Sequence, residues 1–487
     1  MLSSILPRIT ILSILVTCFS SFFCFASNTV KITTTAKKYN YDAPWQPPSQ
    51  ITGTGTGCII EGNKILTNAH VIANYHFIEV KRSDSARSYP AKVLHVAHDC
   101  DLALLSVNDP NFFKNSDPLP ISEEIPKVGD SITVQGYPIG GTELCMTSGV
   151  VSRTELAECA HSRIHIMLTQ IDAPINPGNS GGPVIKDNKL VGIAAQGISG
   201  SQNIGYIIPL PTIKRFFKDI KGEKYKGIPS INIFPQTMEN EDLRRYFKAD
   251  SYENGILLSR ISPCSSVKGL LKPGDVILSI DGIDIAADGT FNWRERERVQ
   301  ANHLIQRKLI GETLLFRILR DGTPMDVEVK AEFNVNQSRL VPLCEYDVAP
   351  SYYIYGGIVF QPLSQNFLEV FGEYWNYVAP KNMLNYFQNG ELTPERKEIV
   401  VLNRVLPDIC NQGYQTASYS VITSVNGIPV RDMKHLISLL TENQAEFLVI
   451  DLENDGKLVL DRKKIWESHK QILENYGIPF DRSIDLR

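Results

Sequence analysis

Gly178-Asn179-Ser180-Gly181-Gly182-Pro183 sets one serine among glycines. Glycine lets a backbone turn sharply, so the hydroxyl stands clear of the chain and nearby backbone N–H groups converge on one point. Such convergence is what a developing oxyanion requires. An ordinary Gly-rich turn has the same composition, so the serine gains chemical meaning only beside a base. His70 follows the strand-like Lys64-Ile65-Leu66-Thr67 through Asn68-Ala69 and runs into apolar Val71-Ile72, the place of a residue at the end of a barrel strand facing a cleft. The other histidines, such as His95, His98 and His161, sit in polar loops or strand edges and read as surface residues. A third group, a carboxylate, has to hold the imidazole tautomer. Asp101, opening the apolar Leu102-Ala103-Leu104-Leu105, is the candidate, with Asp99 as its rival.

The order histidine, aspartate, serine selects the scaffold. A Gly-x-Ser-x-Gly segment also fits the nucleophile elbow of an α/β-hydrolase esterase, but there the serine comes first, between a strand and a helix. Here both partners precede it and a strand follows. Short apolar strands at 57–60, 64–67, 77–80, 102–105, 131–134 and 190–194, punctuated by Gly, Asn and Asp, predict an all-β domain over 51–222. The arrangement is that of a chymotrypsin-like double β-barrel, with His70 and Asp101 from the first barrel and Ser180 from the second. Residues 211–220 read as a helix closing it, and the polar stretch 27–50 as an extended N-terminal arm.

The C-terminal half repeats. Asp275 to Ile285 aligns with Ser420 to Val430, sharing Val, Ile, Ser, Gly and Ile at the same places. Ile256 to Pro263 likewise aligns with Val400 to Pro407, and Ile231 to Phe247 with Gly357 to Phe371. Each copy reads as strand, short helix, strand, strand and a turn at Asp281-Gly282 or Asn426-Gly427, then a helix (297–308; 433–440) and a last strand. The element order and the Gly274-Asp275-Val276-Ile277 to Asp281-Gly282 segment resemble a PDZ domain at 228–335. The second copy, 350–487, lacks the Gly-Asp pair and is PDZ-like. The predicted class is therefore multidomain and mainly β: a chymotrypsin-like double β-barrel followed by two PDZ-type α+β domains.

Thr67-Asn68-Ala69-His70, Asp101 to Leu105, Asn176 to Pro183 and Asn203 to Pro209 together resemble the HtrA/Deg serine proteases. Pro350 to Tyr353, Gly357 to Phe360 and Tyr476 to Pro479 are similar to the plant Deg proteases with two PDZ-type domains. The resemblance implies His70 as base, Asp101 as orienter, Ser180 as nucleophile, and the backbone N–H groups of Gly178 and Ser180 as oxyanion donors. Pro174 stands where trypsin-type enzymes carry an aspartate, so a basic preference is not expected. Ile193, Ala194, Ala195, Gln196 and Ile207 would line a pocket for small or medium aliphatic side chains, or else fill the second barrel. The family's carboxylate-binding PDZ loop maps onto Ser230, Ile231, Asn232 and Ile233, with Asn232 where many members have glycine; asparagine tolerates left-handed backbone angles. The resemblance also implies homotrimers or trimer-based assemblies, with Tyr39, Tyr41 and Trp45 as contacts, and PDZ-type domains that serve either peptide capture or assembly.

Composition bounds the rest. With 487 residues, roughly three domains are expected. Lys and Arg number 49 against 53 Asp and Glu, a net charge of −4 with no long basic run, which argues against a nucleic-acid partner. The apolar run Ile9 to Ala26 behind Arg8 reads as a signal peptide, 1–26, whose rival is an uncleaved anchor; the membrane is otherwise not a partner. The mature protein is expected outside the cytoplasm, in the periplasm or cell envelope. Seven scattered cysteines beyond residue 26 give neither a metal motif nor a disulfide framework, although Cys145 and Cys159 are near enough to bridge a hairpin. No cofactor is implied. The expected activity is ATP-independent endoproteolysis of unfolded or misfolded polypeptides through an acyl-enzyme. The rival is a chaperone or peptide-binding scaffold whose triad rests out of position.

Overall fold

The computed structural model describes residues 28–487 apart from 142, 198–203, 223, 443 and 454–455; the expected signal segment lies outside them. The first closed barrel comprises β1 (Thr29–Lys38), β2 (Ser49–Ile60), β3 (Lys64–Thr67), β4 (Tyr75–Arg82), β5 (Ser88–Ala97) and β6 (Leu102–Val107), ordered β1-β2-β3-β6-β5-β4, with the single-turn helix α1 (Ala69–Ile72) after β3. The second comprises β7 (Ser131–Gly136), β8 (Cys145–Glu158), β9 (His165–Ile171), β10 (Pro183–Lys186), β11 (Lys189–Gly197) and β12 (Gly205–Pro209), ordered β10-β11-β12-β9-β8-β7. Helix α2 (Leu210–Asp219) follows and buries Leu210, Ile213 and Phe216.

Of the expected arm, residues 28–50 are not free. β1 pairs along its whole length with β2, from Thr29 opposite Cys58 to Lys38 opposite Ser49, and also with β4. Val30, Ile32, Thr34 and Ala36 are buried in alternation with half-buried neighbours, the period-two pattern of a barrel strand. The barrel thus begins at β1, ahead of residue 51. Tyr41 and Trp45 are half-buried within the chain against the second PDZ-like module.

Each barrel has its own interior, and a third apolar cluster is shared. Ile32, Ile59, Ile65, Ile78 and Leu105 fill the first, and Val134, Val151, Ile171, Val184 and Val191 the second. Cys58, Leu66, Leu102 and Leu104 meet Ile166, Leu168, Leu190 and Phe216 between them. Burying this face on both sides fixes the barrels against one another and hence the geometry of any site at their junction.

The repeat is a repeat of topology. Strands Ile233–Gln236, Ile256–Ile261, Val276–Ile280, Thr313–Arg320 and Thr323–Lys330 form one sheet in that order. Ile358–Pro362, Val400–Val405, Ser420–Val425, Phe447–Leu452 and Gly456–Asp461 form the second in the matching order. The first module packs on the second barrel, since Leu156 and Met167 belong to its core cluster. The helix read over 297–308 is shorter: Glu297–Gln300 is a strand paired with Thr290–Arg294, and only Asn302–Gln306 is helical. The Arg294–Glu297 ion pair at 2.7 Å closes that hairpin. The second helix, Met433–Glu442, runs two residues beyond its expected end.

Candidate active site

Strand pairing brings His70 and Asp101 together. β3 lies beside β6, with Thr67 opposite Ala103, so the turn after β3 and the turn before β6 share one end of the barrel. Asp101 itself adopts left-handed angles (φ 55°, ψ 43°), tolerable for Asp, and this aims its carboxylate back at the α1 turn. Its Oδ2 faces His70 Nδ1 at 2.8 Å and its Oδ1 accepts the His70 backbone N–H at 2.9 Å. The Asn68 side-chain amide donates to the Asp101 carbonyl at 2.8 Å, tying the two turns together. Asp101 is 2% exposed, whereas the His70 side chain is 33% exposed. Burial alone would lower the His70 pKa, but the charge and hydrogen bond of Asp101 prevail and hold it above the ordinary 6.5. Burial would raise Asp101, and its contacts with His70 outweigh that and hold the carboxylate low.

Ser180 sits in a turn whose carbonyls from Pro177 to Ser180 are all engaged. Ile139 N–H donates to the Pro177 carbonyl at 2.8 Å and Gly182 N–H to the Asn179 carbonyl at 2.9 Å. In a trans peptide the N–H points opposite its carbonyl. The N–H groups of Gly178 and Ser180 are therefore turned to the other side, where neither has a partner among the described residues. The first barrel reaches across to the same turn: Thr56 N–H donates to the Ser180 carbonyl at 2.9 Å, and the Thr56 hydroxyl donates to the Gly178 carbonyl at 2.7 Å while accepting Tyr137 N–H at 2.9 Å. Gly178 has φ +99° and a Cβ there would collide with the Tyr137 carbonyl, so the position requires glycine. The Ser180 hydroxyl donates to the Ala195 carbonyl at 3.0 Å, and no hydrogen bond joins it to His70.

Other expected residues fall elsewhere. Asp99 turns away from His70; its carboxylate accepts from the Tyr225 hydroxyl and Ile228 N–H, bracing the passage into the first PDZ-type module. Ile193 lies in the apolar cluster between the barrels, and Ala194 and Ile207 lie in the interior of the second, so the three fill core and do not line a pocket: neighbours on a strand face opposite ways, and both faces of β11 are buried here. Ala195 is also buried and contributes its carbonyl, and the Gln196 side chain is spent on Ala160 N–H and the Glu158 carbonyl. In the first module Asn232 has φ 51°, the left-handed conformation expected of it, and Ser230, Ile231, Asn232 and Ile233 line a groove with Ile305 and Arg339. All seven described cysteines are free, Cys145 exposed and Cys159 buried, so the hairpin bridge is not formed. Among the described residues no cluster of His, Cys, Asp or Glu is placed to hold a metal, and no helix is long and apolar enough to cross a membrane.

Two histidines read as surface residues belong to the site. His161, on the loop between β8 and β9, has its ring centre 6.0 Å from that of His70, and its Nε2 meets His98 Nδ1 at 2.9 Å. Their separation in the sequence hid the pairing; the only signal was their presence in loops flanking the expected aspartate and serine.

The geometry agrees with what the chain is similar to. A trypsin-like peptidase domain model matches residues 55–193, and a PDZ domain model matches 341–485, the copy with the more degenerate motif. "Putative protease Do-like 3, mitochondrial" of Arabidopsis thaliana is 38% identical over 95% of this chain and 80% of its own length. "Protease Do-like 2, chloroplastic" of the same plant is 37% identical over 95% of this chain and 76% of its own. "Probable periplasmic serine endoprotease DegP-like" of Marinomonas sp. is 30% identical over 65% and 68%. The solved structure "HtrA-type protease AlgW with tripeptide" shares the fold at TM-score 0.50 and 23% identity, over 63% of this chain and 94% of that one. The chain belongs to the Do-like (HtrA/Deg) family of trypsin-like serine proteases that carry PDZ domains.

Proposed function

We propose that this protease cleaves unfolded or misfolded polypeptides without ATP, using Ser180, His70 and Asp101 as nucleophile, base and orienter. The observation that carries the reading is the two-point contact of Asp101 with His70 beside a turn whose Gly178 and Ser180 N–H groups are both unpartnered. With Nδ1–H donated to Asp101, His70 Nε2 keeps its lone pair and takes the proton of Ser180 Oγ as that oxygen attacks the scissile carbonyl. The resulting oxyanion accepts from the Gly178 and Ser180 N–H groups. The imidazolium, held by the Asp101 carboxylate, then gives its proton to the departing amine and leaves an acyl-enzyme. Water, deprotonated by the same nitrogen, hydrolyses the acyl-enzyme and restores Ser180.

Substrate class follows from the edge it meets. β10 pairs with β11 only as far as Ile193, so beyond it this side of β11 offers an edge for an added strand at Ala195, whose carbonyl holds the Ser180 hydroxyl. A substrate strand pairing there takes over the Ala195 carbonyl and releases the Ser180 hydroxyl to turn toward His70. Only extended, unfolded chain offers backbone in that form. Homotrimeric assembly and export to the periplasm or cell envelope belong to the same reading, the latter supported by the apolar run 9–26.

The hydrogen bond from Ser180 to Ala195 also favours a second reading, a peptide-binding scaffold whose serine rests out of reach of its base. Incubation with reduced, unfolded casein in the absence of ATP separates the two. The protease reading expects fragments from the wild type and none from Ser180→Ala, with folded proteins spared. Suppressed aggregation without cleavage by either protein favours the scaffold.

A further inference from the structure

The segment leading into the second PDZ-type module lies across three loops of the protease domain. Asn74 and Asp347 exchange hydrogen bonds: Asn74 N–H donates to Asp347 Oδ1 at 2.6 Å, and Asp347 N–H donates to Asn74 Oδ1 at 2.6 Å. Asn74 ends the turn that carries His70. The second Asp347 oxygen, Oδ2, pairs with His98 Nε2 at 2.9 Å, on the short turn His98–Cys100 that delivers Asp101. Tyr346 stacks on His161, ring centres 4.0 Å apart, and donates its hydroxyl to the His161 carbonyl at 2.8 Å. Two consecutive residues thus hold the turn of the base, the turn of its orienter and the loop beside them.

The contacts close on one another. When His98 donates Nε2–H to Asp347, its Nδ1 accepts from His161 Nε2–H, so the carboxylate and both bonded ring edges are satisfied. Burial lowers the His161 pKa to about 3, so this ring stays neutral and adds no positive charge beside the imidazolium that His70 has to become. The His70 side chain remains 33% exposed, so the contact braces the pair without covering it.

We propose that Tyr346 and Asp347 are positioning residues for proteolysis, a clasp through which the second PDZ-type module sets the orientation of His70 and Asp101. The proposal rests on the reading of Ser180, His70 and Asp101 as the reacting triad. Errors of about an ångström in such groups cost up to about a hundredfold in rate, so loosening two turns at once falls within that range.

The test uses the full chain and a short chromogenic peptide, with kcat expressed per site titrated by a fluorophosphonate so that unfolded protein does not count. Asp347→Ala is expected to lower kcat about tenfold and leave KM within about twofold. Asp347→Asn, which keeps an acceptor for Asn74 N–H but loses the charge facing His98, is expected to fall between that variant and the wild type. Tyr346→Phe keeps the stack and most of the activity, and Tyr346→Ala does not. Lys457→Ala, on an exposed side chain elsewhere in the same module, leaves kcat unchanged. An Asp347→Ala protein with wild-type kcat per titrated site and only a lower melting temperature overturns the proposal, as does a raised kcat, which would make the segment a restraint. If the wild type itself takes no probe at Ser180, the triad reading falls, and the clasp with it.

Discussion

Asp101 grips His70 twice, accepting its backbone N–H at Oδ1 over 2.9 Å and facing its ring Nδ1 at Oδ2 over 2.8 Å. The first contact fixes where the turn lies and the second fixes which ring nitrogen carries the proton. A carboxylate does both because it only accepts. Asp101→Asn preserves the shape but can present an N–H to the ring and so favour the wrong tautomer. The expected result is a kcat lower by about 10⁴ with KM little changed, measured on a chromogenic peptide.

The same contact sets the pH response. The base has to be neutral, and Asp101 raises the His70 pKa above 6.5, so kcat/KM should rise with pH through a midpoint above 6.5. Stability runs the other way for this group. Its contribution is full below the unfolded pKa of about 6.5 and is lost as pH rises through the higher folded value. For Asp101, held low, the contribution is present above its unfolded value and is lost as pH falls through the folded one. In Asp101→Asn only burial acts on His70, so the midpoint of the residual activity should move down. A midpoint that stays in place contradicts the assignment.

Gly178→Ala tests the oxyanion turn. At φ +99°, with the Tyr137 carbonyl in the way of a Cβ, the turn has to shift and carry the Gly178 N–H with it. Losing one such donor costs about 10²–10³ in kcat. The variant should therefore bind peptide nearly as before and turn it over far more slowly, as steady-state kinetics would read.

Thr56 ties the two barrels at the nucleophile. The residue is fully buried, and its hydroxyl serves both the Gly178 carbonyl and Tyr137 N–H. Thr56→Val has nearly the same shape and leaves both groups unpaired, at a cost of about 1–3 kcal/mol for each buried group. A lower denaturation midpoint together with a lower kcat is expected, and Thr56→Ser should recover both.

Much of this site was legible because its chemistry depends on local flanks. His70, Asp101 and Ser180 each adjoin an apolar strand or a glycine turn, and those signals are contiguous. β1 escaped because its run of threonines and lysines reads as polar, although the inward half of the strand is buried. The hairpin at 290–300 escaped because Arg294 to Arg298 alternates in charge and resembles a helical surface. The sequence leaves open whether Ile193 and Ile207 line a pocket or fill the barrel, because strand alternation gives the face a residue occupies only once the register is known. The clasp was invisible for a different reason: His98 and Asp347 are 249 residues apart, and nothing local marks either one.

The central claim is that Ser180 is the nucleophile and His70 activates it, and covalent labelling tests this most directly. After exposure of the full chain to a fluorophosphonate, peptide mapping by mass spectrometry should find one phosphonylated residue, Ser180, and the labelling rate should collapse in His70→Ala. No adduct, an adduct on another serine, or labelling that persists at full rate without His70 would contradict the account.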